Sequence, residues 1–436
     1  MVARSVRMLL TLSLLRVRRR GVSRSDEEMP IQESSSYEGV RLRDPDKAQR
    51  GAENRLVWLR LVLVAGLVAG LLLSPNLWIS TRYYPLTPLW DAVPPLPYPA
   101  DYVLFGLFVA LIAGVGAVRG RAMGWLAVGA LVLAAFFVVQ DESRLQPWFY
   151  QYSFMFAACC LYGLGRVGAL GALNACRLIV FATYFWSGLQ KANASFVQST
   201  HPWLIEPLTT RLPEWAGSAL LASGYAVPVV EAAIGIGLLT RRFRKLAVVG
   251  ALLMHAFIMV CIGPLGHHHN TVVWPWNFAM SAFVLILFWR AHDDPSPSMI
   301  LLPGRRLSPG SVLRAAVLVL FALMPLFNFF GLWDSYLSSG LYSGTSKQGY
   351  VLEWKDSNWQ STRIGGVSER ELNTPAYPEE SIFENVFAER WCGEGSEEAL
   401  RREQAGEPEP TLRVDGRPAI LSGERSAELY SCEDVL

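Results

Sequence analysis

The pattern of hydrophobic and polar positions divides the chain into three. Between residues 51 and 336, apolar runs of about twenty residues alternate with short polar links. At 1.5 Å per residue, about twenty apolar residues in a helix cross a hydrocarbon core of roughly 30 Å. Nine runs meet this test, at about 56–73, 102–118, 122–139, 148–165, 168–190, 217–239, 245–263, 272–290 and 311–330. The fourth is the most polar, carrying Gln151, Ser153 and several tyrosines. The pattern predicts an all-α, polytopic helix bundle.

The links test this count. Arg55 and Arg60 flank the start of the first run, and Arg119 with Arg121, Arg166, Arg241 to Lys245, and Arg290 with Arg305 and Arg306 occupy alternate links. The intervening links are poor in Lys and Arg, and GPLGHHHN has none. Because basic residues are retained on the cytoplasmic side, the alternation predicts nine spans with the N-terminus in the cytoplasm and the C-terminus outside.

Residues 1–50 are polar and of mixed charge and are expected to be a disordered cytoplasmic segment. MLLTLSLL near the start is short, is followed by RVRRR and lacks a small-residue cleavage site, so no cleaved signal is expected. Residues 337–436 turn polar again and read as a small α+β tail outside the membrane. YPEESIFENVFAERW has helical spacing, and TLRVDGRPAIL places an Asp-Gly turn between two apolar pieces, a hairpin signal.

Composition agrees: 52% of the residues are hydrophobic and 17% charged, against about 25% charged in soluble domains. A net charge of +2 gives no reason to expect nucleic acid as a partner. Of six cysteines, Cys159, Cys160, Cys176 and Cys261 lie in apolar runs, where buried free thiols are ordinary. No CxxC pair occurs, which argues against a thiol–disulfide relay. Cys392 and Cys432 lie in the tail and are expected to form a disulfide if the tail is outside.

Ionisable residues inside spans are costly and point to function. Arg177, Glu231 and His255 each fall about nine or ten residues from the cytoplasmic end of their run, so one layer near the midplane is expected to hold all three, with Arg177 paired to Glu231. A structural ion pair and a core histidine explain the same residues. Pro228 should loosen the helix before Glu231. A second cluster, at the outer face, comprises Gln190, Lys191, Asn193, His201, Glu206, His267 to Asn270 and Asn277, framed by Trp203, Trp215, Trp274 and Trp276. Tryptophans at this level also form interfacial belts. Adjacent histidines point in different directions and no carboxylate is near in sequence, so no metal site is expected at His267–His269. Lys191 ends an apolar run within TYFWSGLQKANASF. It is either a snorkelling anchor or a lysine held by burial as a base.

YFWSGLQKANASFV and the later HAFIMVCIGPLG…WPWNFAM resemble segments of the vitamin K-dependent gamma-glutamyl carboxylases and their bacterial HTTM relatives. The same segments are similar to the shorter DoxX and MauE-like redox-associated membrane proteins. The resemblance covers about residues 55–335. It implies nine spans, a lipid-soluble quinone-type ligand, Lys191 as the base and His255 as a group near the site; Glu231, as an ionisable residue within a span, is expected to support them. Arg177, Gln190, Asn277, Trp274 and Trp276 would line the ligand site. The tail, at about 100 residues, does not resemble the long substrate-gripping domain of the carboxylases, which leaves glutamate carboxylation without support. Two functions follow. One is an integral membrane protein with a lipid-soluble ligand site open to the outer face, with carboxylase-like or redox-associated chemistry. The other is a non-enzymatic transporter or an assembly factor that binds an exported redox protein through its tail. The location expected is a bacterial inner membrane, or the endoplasmic reticulum membrane in a eukaryote.

Overall fold

The computed structural model describes residues 45–90, 92–291, 295–304, 307–355, 357–393 and 395–436. The expectations for residues 1–44 and for Arg305 and Arg306 lie outside the described residues. The chain is mostly helical. Its main helices are α1 (Pro45–Leu73), α2 (Ala100–Ala117), α3 (Gly120–Gln140), α4 (Pro147–Gly163), α5 (Ala169–Gln190), α6 (Val227–Leu239), α7 (Arg244–Ile262), α8 (Val273–Phe288) and α9 (Pro309–Phe330).

Among the described residues, six helices are long and apolar enough to cross a membrane: residues 48–73 of α1, then α2, α3, α5, α7 and α9. The run expected at 217–239 is a bent pair, Glu214–Tyr225 followed by Val227–Leu239, at 57°. Pro228 stands at the start of the second piece rather than inside a continuous helix. A proline fits the first turn, where its missing N–H costs no helical bond. α4 and α8, at 17 and 16 residues, are shorter than the other runs. Large apolar side chains such as Trp58, Val103, Trp125, Val229, Leu246 and Phe278 face outward. Such an exposed apolar surface suits lipid rather than water, and the helices are compatible with a multi-pass integral membrane protein.

α5 is the central helix, with most of its residues buried. Its closest partner is α6. A Cβ on Gly188 would lie 2.7 Å from the Pro228 carbonyl oxygen and nearer still to the Ala232 amide, and one on Gly235 would lie 2.8 Å from the Phe185 amide. Two glycines on opposite helices thus let the backbones touch and fix their register. That register sets Glu231 beside the last two turns of α5.

After α9 come a loop over residues 331–347 and an antiparallel sheet in the order β2–β1–β3–β4: β1 (Gln348–Lys355), β2 (Asn358–Arg363), β3 (Thr411–Asp415) and β4 (Ala427–Tyr430). Val351 pairs with Leu412 and Gly349 with Val414 on the covered face. Helices α10 (Ile364–Leu372) and α11 (Glu380–Phe387) supply Ile364, Val367, Ile382, Phe383, Val386 and Phe387 to the same core. The helix expected in YPEESIFENVFAERW is α11. The hairpin expected at Asp415-Gly416 differs: Asp415 pairs with Ala427, so the connection is a long loop and PAIL is not a strand. The loop is drawn onto the helices instead. Arg417 donates to the Asn328 and Trp333 carbonyl oxygens at 2.7 and 2.8 Å, and the Ala194 amide donates to Ile420 O at 2.9 Å. Cys392 and Cys432 are joined in a disulfide, with 5.4 Å between their Cα atoms.

Candidate functional site

Thr183, Tyr184, Ser187 and Lys191 follow one another at helical spacing on α5, so they share a face. That face opens on a cavity between α5 and its neighbours. Its remaining wall is largely apolar, with Met254 and Ile258 from α7, Trp276 and Met280 from α8, Phe321 from α9, and Leu337 and Leu341 from the loop beyond. The polar groups gather in two sets along α5.

The first set is centred on Lys191, the residue that caps the C-terminal end of α5. Its Nζ donates to Glu231 Oε2 at 2.7 Å, to Ser187 Oγ at 2.6 Å and to the Ser187 carbonyl oxygen at 3.2 Å. An ammonium carries three donors, and three oxygens surround this one. The side chains of Lys191 and Glu231 retain 12% and 8% of their exposure, so the pair is mostly withdrawn from solvent. Lys191 does not snorkel away from the cavity; it turns inward to a carboxylate.

The second set is Tyr184, His255 and Asn277. Asn277 Nδ2 donates to Val273 O, one turn back on α8, at 2.8 Å. This fixes the amide, so Oδ1 faces His255 Nδ1 at 2.8 Å. His255 Nε2 lies 2.6 Å from the Tyr184 hydroxyl. All three side chains line the cavity. Nearby, Trp276 Nε1 donates to Gln151 Oε1 at 2.6 Å, while the buried Tyr150 hydroxyl has no hydrogen-bond partner among the described residues.

The expected layer of Arg177, Glu231 and His255 does not form. Glu231 pairs with Lys191, while Arg177 donates from Nε to Leu287 O at 3.0 Å and from Nη1 to Asn174 Oδ1 at 2.7 Å. Arg177 lies eleven residues before Gly188 on α5, or about 16 Å along the axis. Counting depth from loop positions missed the glycine-set register, which places α6 against the C-terminal half of α5. Gln190 is also outside the cavity lining: its amide donates to Pro325 O at 3.1 Å and accepts from Asn328 Nδ2 at 2.8 Å, tying α5 to α9. Trp274 donates to His269 O at 3.2 Å, and only Trp276 of the two lines the cavity.

A second, more polar chamber lies against the first and shares Tyr336, Leu341 and Tyr342 with it. His269, Arg363, Glu369 and Lys347 contribute its charge-bearing groups. Glu369 is remote in sequence, yet its Oε2 lies 3.7 Å from His269 Nδ1. Burial holds the His269 imidazole below its ordinary value, with Glu369 acting in the other direction. His267 stacks on Trp203 and bonds its carbonyl oxygen at 2.6 Å. His269 packs edge-on against the same Trp203, while His268 turns to Trp274; among the described residues no group of three or more His, Cys, Asp or Glu side chains could hold a metal ion.

Sequence reasoning missed Tyr184 and Ser187. Their spacing from Lys191 on one helical face was the available signal, but Tyr184 was absorbed into an apolar aromatic run. No protein-family model, curated protein or solved structure matches the chain.

Proposed function

We propose that this protein is a membrane-embedded site for a lipid-soluble ring compound of the quinone, quinol or phenol class, and that it moves protons at that ring's oxygen. The observation that carries the reading is the cavity beside α5: an apolar chamber with an ion pair and a hydrogen-bonded imidazole on one wall. Sites for small ligands combine an apolar lining with a few fixed polar groups in this way. A flat ring suits the Trp276, Phe321 and Met280 surfaces, and its oxygen would meet Lys191, Tyr184 or the unpartnered Tyr150 hydroxyl.

On this reading all nine helical runs cross the membrane, with the N-terminus in the cytoplasm and the C-terminal sheet outside. The bent pair before α6 and the shorter α4 and α8 would cross within the bundle, where neighbouring helices cover their ends. The resemblance to the carboxylase-like superfamily supports the ring ligand and the importance of Lys191. It does not extend to glutamate carboxylation.

The test is mass spectrometry of an organic extract of the purified protein, followed by titration with 1,4-naphthoquinone read by tryptophan quenching. The expected result is a ring lipid in the extract and saturable quenching that weakens in Lys191→Gln. An extract without such a compound, together with non-saturable quenching, would sink the reading. The polar outer chamber favours a second reading, an assembly factor for an exported redox protein. A co-purified protein in place of a ring lipid would support it.

A further inference from the structure

We infer that Tyr184 is the group that takes the proton from the ligand, with His255 as the base behind it, and that Lys191 stabilises the resulting anion. This rests on the ring-ligand reading and assigns the base differently from the sequence, which pointed to Lys191.

The inference follows from hydrogen-bond directions. Val273 O can only accept, so the Asn277 amide must turn its NH₂ toward that carbonyl. Oδ1 is then the atom facing His255 Nδ1, and a carbonyl oxygen can only accept. His255 Nδ1 therefore carries hydrogen. In the neutral ring Nε2 is then a bare lone pair, and the Tyr184 O–H, 2.6 Å away, must donate to it. One tautomer is selected from α8 by a residue that makes no proton transfer itself, which makes Asn277 a positioning residue.

Tyr184 then has its hydrogen committed inward and its oxygen lone pairs free for a donor. A ring hydroxyl that enters the cavity can donate to that oxygen. In the transfer, the ligand O–H bond breaks and its proton joins Tyr184 Oη, while the Tyr184 proton moves to His255 Nε2. The products are a ligand oxyanion, an intact tyrosine and an imidazolium held by Asn277 Oδ1. No electron moves and no other reactant is needed.

Lys191 is poorly suited to the same step as a base. Its nitrogen is ringed by the Glu231 carboxylate, the Ser187 carbonyl and the Ser187 hydroxyl, and it donates to all three. One helical turn from Ser187 and two from Tyr184, it is placed to attract the oxyanion that the relay creates. Catalytic sites commonly separate the two tasks, a neutral base to remove the proton and a fixed charge to hold the anion.

The experiment uses the full-length protein in detergent, labelled with ¹⁵N-histidine, with His255→Gln to assign the signal. Without ligand, His255 is expected to show hydrogen on Nδ1 and none on Nε2. Asn277→Leu should release this into a mixture of tautomers. A wild-type Nε2–H tautomer would overturn the relay, and this measurement needs no ligand. The ligand probe is 1-naphthol, whose anion absorbs at longer wavelength than the neutral form. In the wild type the anion band is expected at least one pH unit below its position in water, with His255 gaining its second hydrogen in step. Tyr184→Phe should return the band toward its position in water. An anion band with His255 still neutral, or one unmoved by Tyr184→Phe, would return the base role to Lys191. Failure of naphthol to bind the wild type would count against the ring-ligand reading, and the tautomer would still decide the relay.

Discussion

Lys191 and Glu231, forty residues apart, meet at 2.7 Å between α5 and α6, and both line the apolar cavity. The pair is mostly buried, so removing one partner leaves the other charge uncompensated. Glu231→Gln or Lys191→Met is expected to destabilise the protein by about 3–5 kcal/mol, and the double variant by less than the sum. A double-mutant cycle of thermal or denaturant unfolding in detergent measures this. Additive losses would show that the two charges act independently.

The glycine register that brings the pair together has its own consequence. An alanine methyl at Gly188 would press on the Pro228 carbonyl and the Ala232 amide, both backbone atoms that cannot rotate away. Gly188→Ala should push α6 from α5, costing about 1–3 kcal/mol by overpacking and weakening ligand binding through Glu231. Gly365→Ala, where an added Cβ meets nothing nearer than 3.6 Å, is the control and should leave both unchanged. Equal behaviour of the two variants would remove glycine contact as the source of the register.

The helical runs were legible because a hydrocarbon-length apolar run is a one-dimensional signal. So was Lys191 as a polar group at the end of such a run, and it does stand on the cavity wall. What it touches was not legible, because helix register depends on which small residues meet across an interface. Glu231 was therefore assigned to Arg177 by depth, when Gly188 and Gly235 decide otherwise. His255 and Asn277 were each visible as polar residues in apolar runs, but Tyr184, which joins His255 to α5, resembled its aromatic neighbours. In the tail, Asp415-Gly416 had the chemistry of a tight turn. Arg417, which follows it, has a partner on α9, Asn328, and the chain is drawn to the helices instead of turning back at once.

The Cys392–Cys432 bridge closes a loop with a sequence separation of 40, worth about 4 kcal/mol on the chain-entropy account. Cys392→Ser with Cys432→Ser should lower the unfolding midpoint of the tail. The same cysteines test the side of the membrane. In intact cells, a membrane-impermeant thiol reagent should label both only after reduction. Labelling without reductant would remove the bridge in the cell, and absence of labelling after reduction would put the tail in the cytoplasm.

The seam between the tail and the helices carries a pH dependence of definite sign. Glu142, in the link between α3 and α4, accepts from the Ser381 hydroxyl at 3.4 Å, and Asn385 on the same tail helix donates to Leu86 O at 3.0 Å. Burial, reinforced by the charge of Asp334, pushes Glu142 up to about 7 and Glu379 up to about 8. Asp141 near Glu142 adds to the repulsion, while Lys347 near Glu379 opposes it. Tyr377 and Arg417 lie within the electrostatic reach of this seam. A carboxyl whose value is raised by docking favours the docked state below its ordinary value, about 4.3. That preference is lost as pH climbs through 7 to 8, because docking then requires either a buried charge or a bound proton. The tail should therefore be held most firmly in mild acid and loosen toward pH 8–9. Hydrogen exchange at Val386 and Phe387 between pH 5 and 9, compared with Glu379→Gln, measures this, since the comparison cancels the intrinsic pH dependence of exchange. Protection in the wild type should fall relative to the variant as pH rises. A ratio constant across the range, or one that moves the other way, would mean that these carboxyls do not govern docking.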